Sequence, residues 1–126
     1  GQVTIPEFPL ANGRRADLLA LAGCGRLTIV EIKSSVADFR ADQKWPHYRE
    51  FCDRFYFAVP PDLEEIIPEE TGLIVADAFG AAVMREPDDH PLSGARRKAV
   101  TLRFAHSAAA RLHMLADPGA IREGAL

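Results

Sequence analysis

Leu27-Thr28-Ile29-Val30-Glu31-Ile32-Lys33 is the segment from which the architecture of this chain can be inferred. It is rich in β-branched residues and nearly continuous in apolar side chains, a pattern typical of a central strand buried on both faces of a sheet. Ser34 and Ser35 are expected to end this strand, and capping of the next helix is favoured over a phosphate contact. Glu31 and Lys33 are two positions apart, so their side chains project from the same face.

Further strands and helices are predicted on both sides of this segment. Before it, residues 3–10 predict an irregular edge strand, because Pro6 and Pro9 cannot donate to a ladder, and residues 14–21 predict a second strand beyond the Asn12-Gly13 turn. After it, we expect a helix over 36–52 interrupted before Trp45-Pro46, strands at 54–59, 71–76 and 81–85, a short acidic helix within 62–70 and a final helix over 95–115. This order predicts an α/β fold.

The final predicted helix has a periodicity that indicates which side should face the core. Its apolar residues near helical spacing are Leu102, Ala105, Ala109, Leu112 and Leu115. We expect these to pack against the sheet. Residues 117–126, which include Pro118, are expected to form a frayed tail. Residues 1–126 as a whole are expected to form a single domain.

The composition is that of an ordinary globular protein. The chain has 126 residues, of which 48% are hydrophobic and 26% charged, which suits one domain with a single core. No apolar run approaches the ~20 residues of a membrane helix, and the N-terminus lacks a signal-peptide pattern. Cys24 and Cys52 are expected to be free thiols in a reducing cytoplasm. The net charge of −3 means that nucleic-acid binding would depend on local positive charge.

Acidic residues interrupt two of the predicted strands. Asp17 lies in Arg-Arg-Ala-Asp-Leu-Leu, and Glu31 lies in the next strand along the chain. If the two strands are neighbours, the two carboxylates can converge, and a buried carboxylate is costly unless a cation neutralises it. Carboxylate oxygens suit Mg²⁺ or Mn²⁺, and the backbone carbonyl of Ile32 is a further candidate ligand.

These residues predict metal-assisted phosphodiester hydrolysis. The metal would polarise a phosphoryl oxygen and help to form hydroxide. Lys33 would orient the attacking water or offset charge in the transition state, and we favour this electrostatic role over a general-base role. Two alternatives stay open from the residues alone. Glu31 and Lys33 could lie on the solvent face of an edge strand, and Asp17 could cap a turn or pair with Arg14 or Arg15.

The motif residues resemble those of a known nuclease superfamily. Asp17 followed by Glu31-Ile32-Lys33 is similar to the Asp…(Asp/Glu)-x-Lys signature of PD-(D/E)XK nucleases. Longer strings resemble the MmcB family of bacterial DNA-repair proteins over roughly residues 7–77. These strings are Arg14-Arg15-Ala16-Asp17-Leu18, Val30-Glu31-Ile32-Lys33-Ser34-Ser35, Asp38-Phe39-Arg40, Asp42-Gln43-Lys44-Trp45, Tyr48 and Phe55-Tyr56-Phe57-Ala58-Val59-Pro60.

The resemblance implies a restriction-endonuclease-like core, in which helices flank a mixed central β-sheet and both motifs lie at adjacent strand ends. It implies a role in repair of DNA damage in a bacterium, and many nucleases of this fold pair up, so a homodimer is a possible assembly. Ala16 stands where the signature has proline. Related nucleases often carry a further acidic residue on an N-terminal helix. Either Glu7 takes that part, or that residue lies in sequence that precedes this chain.

Several residues are predicted to support the site. Gln43 and Tyr48 resemble a helix motif of RecB-like nucleases, in which Gln43 would bond the attacking water or a phosphate. Tyr48 and Trp45 are more often packing residues. Lys44 is a candidate phosphate contact, although an exposed helix surface explains it better. Arg15 is expected to share the face of Asp17, where it would pair with Glu7 or bind the phosphate backbone.

The C-terminal helix is predicted to carry the nucleic-acid contacts. No acidic residue occurs over residues 91–116, whereas Arg96, Arg97, Lys98 and Arg103 do. A basic helical face on an acidic protein is consistent with contacts to the phosphate backbone of DNA. An ordinary solvated helix face is an equally good explanation.

The function hypothesis is therefore a Mg²⁺- or Mn²⁺-dependent deoxyribonuclease that acts in bacterial DNA repair. Asp17, Glu31 and Lys33 would be its catalytic residues. A module of the same fold that binds DNA structures without cleaving them is the first alternative. A protein-interaction domain with an incidental charged sheet edge is the second.

Overall fold

The computed structural model describes residues 1–119, so residues 120–126 of the predicted tail lie outside the described part of the chain. It contains six strands, three α-helices and one 3-10 helix. The strands are β1 (Gln2–Pro9), β2 (Arg15–Ala22), β3 (Leu27–Ile32), β4 (Arg54–Val59), β5 (Gly72–Asp77) and β6 (Gly80–Arg85). The α-helices are α1 (Val36–Ala41), α2 (Pro46–Arg49) and α3 (Gly94–Ala116), and the 3-10 helix is Pro61–Ile66.

All six strands form one mixed sheet in the order β1-β2-β3-β4-β5-β6. The pairs β1–β2, β2–β3 and β5–β6 are antiparallel, and β3–β4 and β4–β5 are parallel. The α1 and α2 segment crosses between the parallel strands β3 and β4, as parallel pairing requires. The proline-containing β1 is an edge strand, as predicted. The predicted α/β fold is thus confirmed.

The core lies on the face of the sheet that carries Leu19, Ile29 and Phe57, whose side chains are fully buried. Aromatic residues of α1 and α2 cover this face. The Phe39 ring contacts the Phe57 ring edge-on at a centroid distance of 5.4 Å, and Tyr48 stacks on Phe55 at 6.1 Å. Such pairs add to the free energy gained from apolar burial.

The break between α1 and α2 has a local cause. Ser35 caps α1, since its hydroxyl accepts a hydrogen bond from the Asp38 backbone N–H at 3.0 Å. The first helix ends at Ala41, two residues before the predicted stop, and the second begins at Pro46 as predicted. Trp45 keeps a helical backbone despite the following proline. Its indole stacks on Phe55 at 5.9 Å, and this packing offsets the unfavourable backbone conformation.

The face of α3 that packs on the sheet differs from the predicted one. Leu102, Leu112 and Leu115 are 60%, 68% and 83% exposed, and Ala105 and Ala109 are exposed as well. Val100 and Phe104 are the buried residues of the helix, and Phe104 lies 6.3 Å from the Phe8 ring. None of the described helices is both long and apolar enough to span a membrane.

An ion pair sets the rotation of α3. The Arg97 guanidinium donates to the two carboxylate oxygens of Asp53 at 2.6 and 2.7 Å and to the Gly25 carbonyl at 2.9 Å. Arg97, Val100 and Phe104 lie on one side of a helix with 3.6 residues per turn. Because Arg97 is held at the sheet, Val100 and Phe104 face inward and the predicted leucine stripe faces outward.

Asp53 also organises two backbone segments. Its carboxylate accepts from the backbone N–H of Leu27, where β3 begins, at 2.8 Å and from that of Leu92 at 2.9 Å. Burial alone raises the pKa of Asp53, but the Arg97 guanidinium and these two N–H groups lower it to about 2. Asp53 therefore joins the start of β3, the segment between β6 and α3, and α3 itself through one ionised side chain.

We expect Asp53→Asn to lower the free energy of unfolding by about 2–3 kcal/mol, because one amide oxygen cannot replace two carboxylate oxygens that accept four hydrogen bonds. Urea denaturation at pH 7 measures this change. The matched control is Asp89→Asn, which disrupts an exposed pair with Arg54 and should cost less than about 1 kcal/mol. Equal losses in the two variants would contradict the anchoring role of Asp53.

Candidate active site

Asp17 and Glu31 lie directly opposite each other on β2 and β3. The pairs Leu18–Val30 and Leu19–Ile29 set this register. The Asp17 backbone N–H donates to Glu31 Oε1 at 2.9 Å, and the Ile32 backbone N–H donates to Asp17 Oδ2 at 2.8 Å. Each carboxylate thus takes the place of a ladder acceptor on the neighbouring strand. The convergence expected from the sequence is observed, and it lies where β3 ends.

Glu31 is placed in an environment that disfavours a negative charge. It is only 4% exposed. Burial, together with the nearby Asp17 carboxylate, raises the pKa of Glu31 to about 8, despite the opposing effects of the Asp17 N–H and the Lys33 ammonium. Glu31 therefore tends to hold a proton near neutral pH unless a further cation joins the site.

Lys33 follows β3 and is buried beside these carboxylates. Its ammonium lies 3.8 Å from Asp42 Oδ2, and Asp42 is the C-cap residue directly after α1. The Asp42 Oδ1 atom accepts from the Lys44 backbone N–H at 3.0 Å, so the carboxylate is itself oriented. Asp42 belongs to the string Asp42-Gln43-Lys44-Trp45 but was not predicted as a site residue. Its charge is the signal that could have identified it.

Tyr48 and Arg14 form the wall of the site next to β2. Burial raises the pKa of the Tyr48 phenol, and the negative charges of Glu31 and Asp42 raise it further. The nearby Arg14 guanidinium has the opposite effect on this pKa, since its positive charge favours the ionised phenol. Arg14 is therefore the arginine that lies against the site. The expected arginine, Arg15, is exposed and forms no ion pair with Glu7 or any other residue between 1 and 119.

The two predicted helix contacts differ in their surroundings. The Gln43 amide nitrogen donates to the Phe39 carbonyl at 2.7 Å and so closes the end of α1. This bond uses one of the two N–H donors of the amide, whereas its amide oxygen takes no hydrogen bond from the described residues. Lys44 is exposed. Tyr48 packs on Phe55, in agreement with the packing role that was favoured for it.

Glu7 occupies an unusual position in β1. The pairs Pro6–Leu18 and Phe8–Ala16 place it opposite Asp17, but that pair is absent from the ladder. Its backbone has a positive φ of 51°, uncommon for a residue with a side chain. Arg111 donates to the carbonyl oxygens of Pro6 and Glu7, which stabilises this local distortion. The Glu7 side chain is exposed.

The predicted nucleic-acid contacts on α3 are divided by the structure. Arg97 is held by Asp53, so its guanidinium serves the fold and is removed from the predicted phosphate contacts. Arg96 lies over the Phe51 ring at 4.6 Å. Lys98 and Arg103 are exposed, and Lys98 is about 200° around the helix from Arg96. Only Arg96 and Arg103 therefore share one side of the helix.

The residues present suit a hard divalent cation. Asp17 Oδ1 and Glu31 Oε2 accept no hydrogen bond from the described residues, while their partner oxygens are oriented by backbone N–H groups. The pKa of Glu31 is raised mainly by burial and also by the Asp17 carboxylate, and a cation bound between the two carboxylates would favour the ionised form. Between residues 1 and 119, no group of three or more His, Cys, Asp or Glu side chains converges as a metal site. Carbonyl and water ligands would have to complete the set, and the Ile32 carbonyl stays a prediction.

The model of one protein family matches nearly the whole chain. It is the family described as DNA repair protein MmcB-like, and the match covers residues 1–119. The chain belongs to the MmcB-like family. Its membership supports a role in DNA repair, as the resemblance implied.

A solved structure supports the fold of this MmcB-like chain. It is that of a protein of unknown function from Silicibacter pomeroyi, which is 42% identical in sequence. The TM-score is 0.90, and the similarity covers 98% of this chain and 86% of the other. No protein with curated annotation matches the chain. The comparisons thus establish the family and the fold.

We expect Glu31→Gln to stabilise the metal-free protein at pH 8 but to have little effect near pH 5. Because the folded-state pKa of Glu31 is raised to about 8, its stabilising contribution is complete below about pH 4.5 and is lost as the pH rises through 8. Glutamine keeps an acceptor oxygen without ionising, so the gain at pH 8 should be about 2 kcal/mol or more. Urea denaturation in excess chelator at both pH values measures it. An equal effect at pH 5 and pH 8 would show that Glu31 does not titrate in this range.

Proposed function

We propose that this chain is a deoxyribonuclease that depends on Mg²⁺ or Mn²⁺ and acts in DNA repair. The observation that carries the proposal is the apposition of Asp17 and Glu31 on β2 and β3, with Lys33 buried beside them. Two carboxylates and a lysine on the core-facing side of a sheet lose hydration, which costs free energy unless their charges are neutralised locally. Stability alone does not require such an arrangement, and this supports a functional role.

The sheet supports assignment to the PD-(D/E)XK type. Asp17 lies on a strand that pairs antiparallel with β3, while β3 pairs parallel with β4. Glu31 and Lys33 thus lie at the carboxyl end of a parallel segment, the usual place for ligand sites in α/β sheets. This is the layout that the signature implies, in which both motifs occupy adjacent strand ends.

The side chains have distinct chemical parts in this proposal. Asp17 and Glu31 would hold the cation, which when bound supplies Lewis-acid activation of the phosphodiester and of a water molecule. Cation binding requires Glu31 to lose its proton, so Glu31 also makes binding weaker at lower pH. Lys33, oriented by Asp42, would stabilise negative charge on the non-bridging oxygens as the phosphorus is attacked.

Arg14 adds a second positive charge at the same wall. Its guanidinium lies near the Tyr48 phenol, whose pKa it acts to lower. From there it can contact the phosphate that flanks the scissile one, as arginine does in many phosphate sites. Arg14 directly precedes β2 and Lys33 directly follows β3, so the two positive charges could position a phosphodiester beside Glu31.

A second candidate is a DNA-binding module that does not cleave. It is favoured by one observation, that only two carboxylates converge among residues 1–119 and each already accepts a backbone N–H. A site with so few free oxygens would bind a cation weakly. In this case Lys33 and Arg14 would contact DNA phosphates without hydrolysis.

Cleavage of labelled single-stranded, duplex and flap DNA with Mn²⁺ or Mg²⁺ tests the proposal. We expect metal-dependent cleavage that falls about 10²–10³-fold in Lys33→Ala, because one pre-positioned charge stabilises the transition state by several kcal/mol. Asp17→Asn should abolish cleavage. The matched control for its charge loss is Asp62→Asn, an exposed acid on the 3-10 helix, which should cleave as the parent does.

Two results would contradict the nuclease proposal. One is DNA binding by a folded protein with no cleavage in either metal, which supports the non-cleaving module. The other is cleavage that survives Lys33→Ala and Asp17→Asn undiminished, which indicates a contaminating nuclease or a different site.

A further inference from the structure

A groove lies between α3 and the turn that follows β1. Its volume is about 500 Å³. Its floor is apolar and is formed by Phe8, Leu10, Phe51 and Val100, all of them buried. Pockets of this volume are common binding sites for a small molecule or for one flat group of a larger ligand.

Two arginines of α3 line this groove, namely Arg96 and Arg103. They are seven residues apart, so they lie on one side of the helix two turns apart. The stretch 91–116 contains no acidic residue, and Glu50 is the acidic residue that lines the groove. The charge along the rim is therefore complementary to an anion.

The Arg96 side chain is held in a defined orientation. Its guanidinium lies 4.6 Å from the centroid of the Phe51 ring, so one side of the group is covered by an aromatic surface. The side chain is exposed and forms no ion pair with any residue in 1–119. Its other side can therefore stack against a flat ligand, and nucleobases stack readily on arginine planes.

The groove continues along the helix beyond Arg103. A shallower depression lined by Pro9, Leu102 and His106 shares Ala99 and Arg103 with it. From residue 96 to residue 106 the helix rises about 15 Å. This length matches a few stacked nucleotides at about 3.4 Å each.

The groove and the candidate active site share a wall. The Leu10 backbone N–H donates to the Arg14 carbonyl at 2.8 Å, and the Phe51 backbone N–H donates to the Tyr48 carbonyl at 3.0 Å. Arg14 and Tyr48 are the residues that flank Glu31. Two residues that line the groove are therefore hydrogen-bonded directly to residues of the candidate active site. A ligand in the groove would lie next to that site, on the same side of the sheet.

We propose that this groove binds an unpaired DNA strand next to the active site, with one base stacked on Arg96 and a neighbouring phosphate paired with Arg103. The inference rests on the proposed nuclease function and names its substrate class, which is DNA with a single-stranded segment. An apolar floor and one exposed guanidinium plane suit the face of an unstacked base. In a duplex that face is covered by neighbouring bases, so a duplex would use only the phosphate contact.

The experiment measures binding of a fluorescent oligothymidine and of a duplex of the same length by anisotropy, without divalent metal. We expect Arg96→Ala to weaken single-strand binding about fivefold or more and duplex binding less than about twofold. Arg96→Lys keeps the charge but not the plane, so it should lose nearly as much single-strand affinity as Arg96→Ala. In Arg103→Ala, the slope of log K for single-strand binding against log salt concentration should be smaller in magnitude by about 0.7, as expected for the loss of one phosphate contact.

Lys98→Ala is the matched control, because it removes one positive charge from the same helix on the side opposite Arg96. Lys98→Ala should weaken the binding of the single strand and of the duplex by a similar small factor, so the preference for the single strand should not change. Thermal melting checks the fold of each variant. Arg103 makes no hydrogen bond or ion pair within residues 1–119, so Arg103→Ala keeps the test decisive if Arg96→Ala unfolds.

Three outcomes would overturn the inference. Equal losses of single-strand and duplex affinity in Arg96→Ala would show that Arg96 does not contact a base. Single-strand affinity in Arg96→Lys equal to that of the parent protein would show that Arg96 contributes only its charge. Displacement of the oligonucleotide by a glutamate-rich peptide of equal charge, at equal concentration, would identify an acidic-peptide groove instead.

Failure of the groove and failure of the nuclease are distinguishable, since binding is measured without metal and cleavage with Mn²⁺. Cleavage with no groove-dependent preference would retain the nuclease and reject the groove. Groove-dependent binding of the single strand without cleavage would support the groove and reject the nuclease.

Discussion

The strand β3 must satisfy two opposing demands, and much of the structure follows from them. It lies in the interior of the sheet, where apolar side chains are favoured, yet it carries Glu31 at its end on the buried face. The cost of a buried carboxylate is met by hydrogen bonds, because Glu31 accepts the Asp17 N–H while Asp17 accepts the Ile32 N–H. This reciprocal pair ties β2 to β3 where the regular ladder ends. The same pair leaves one oxygen of each carboxylate free for a ligand.

The carboxylates near the two ends of β3 have different surroundings. At its beginning, Asp53 accepts the Leu27 N–H and is neutralised by Arg97 through two short hydrogen bonds. This carboxylate is fully satisfied by the protein, and its pKa is lowered to about 2. At the other end, Glu31 receives one backbone N–H and its pKa is raised to about 8. A carboxylate whose hydrogen bonds are all made within the protein stabilises the fold, whereas a buried carboxylate with a free oxygen and a raised pKa identifies a candidate binding site.

The helix α3 is anchored where β3 begins, and it also carries two residues of the proposed DNA-binding groove. Arg97 fastens it to Asp53, and Val100 and Phe104 pack it against the sheet. With this rotation, Arg96 and Arg103 are carried to the groove beside Phe51. The basic residues of one short segment thus serve different ends, one for the fold and two for a proposed ligand. They are separated only by their angles around the helix axis.

Local sequence signals were sufficient to identify most helices and strands and to place the two acidic motifs on neighbouring strands. Apolar periodicity located β3 and β4 to within a residue, and Ser35 and Pro46 marked helix starts, because these signals act between residues close in the chain. The Asp17 and Glu31 carboxylates could be expected to converge once two neighbouring strands were predicted. Tertiary structure alone decided the buried face of α3, the Arg97–Asp53 pair across 44 residues, and the choice of Arg14 over Arg15 beside Tyr48. In each case the deciding contacts join segments that are far apart in the chain, and local sequence patterns do not encode such contacts.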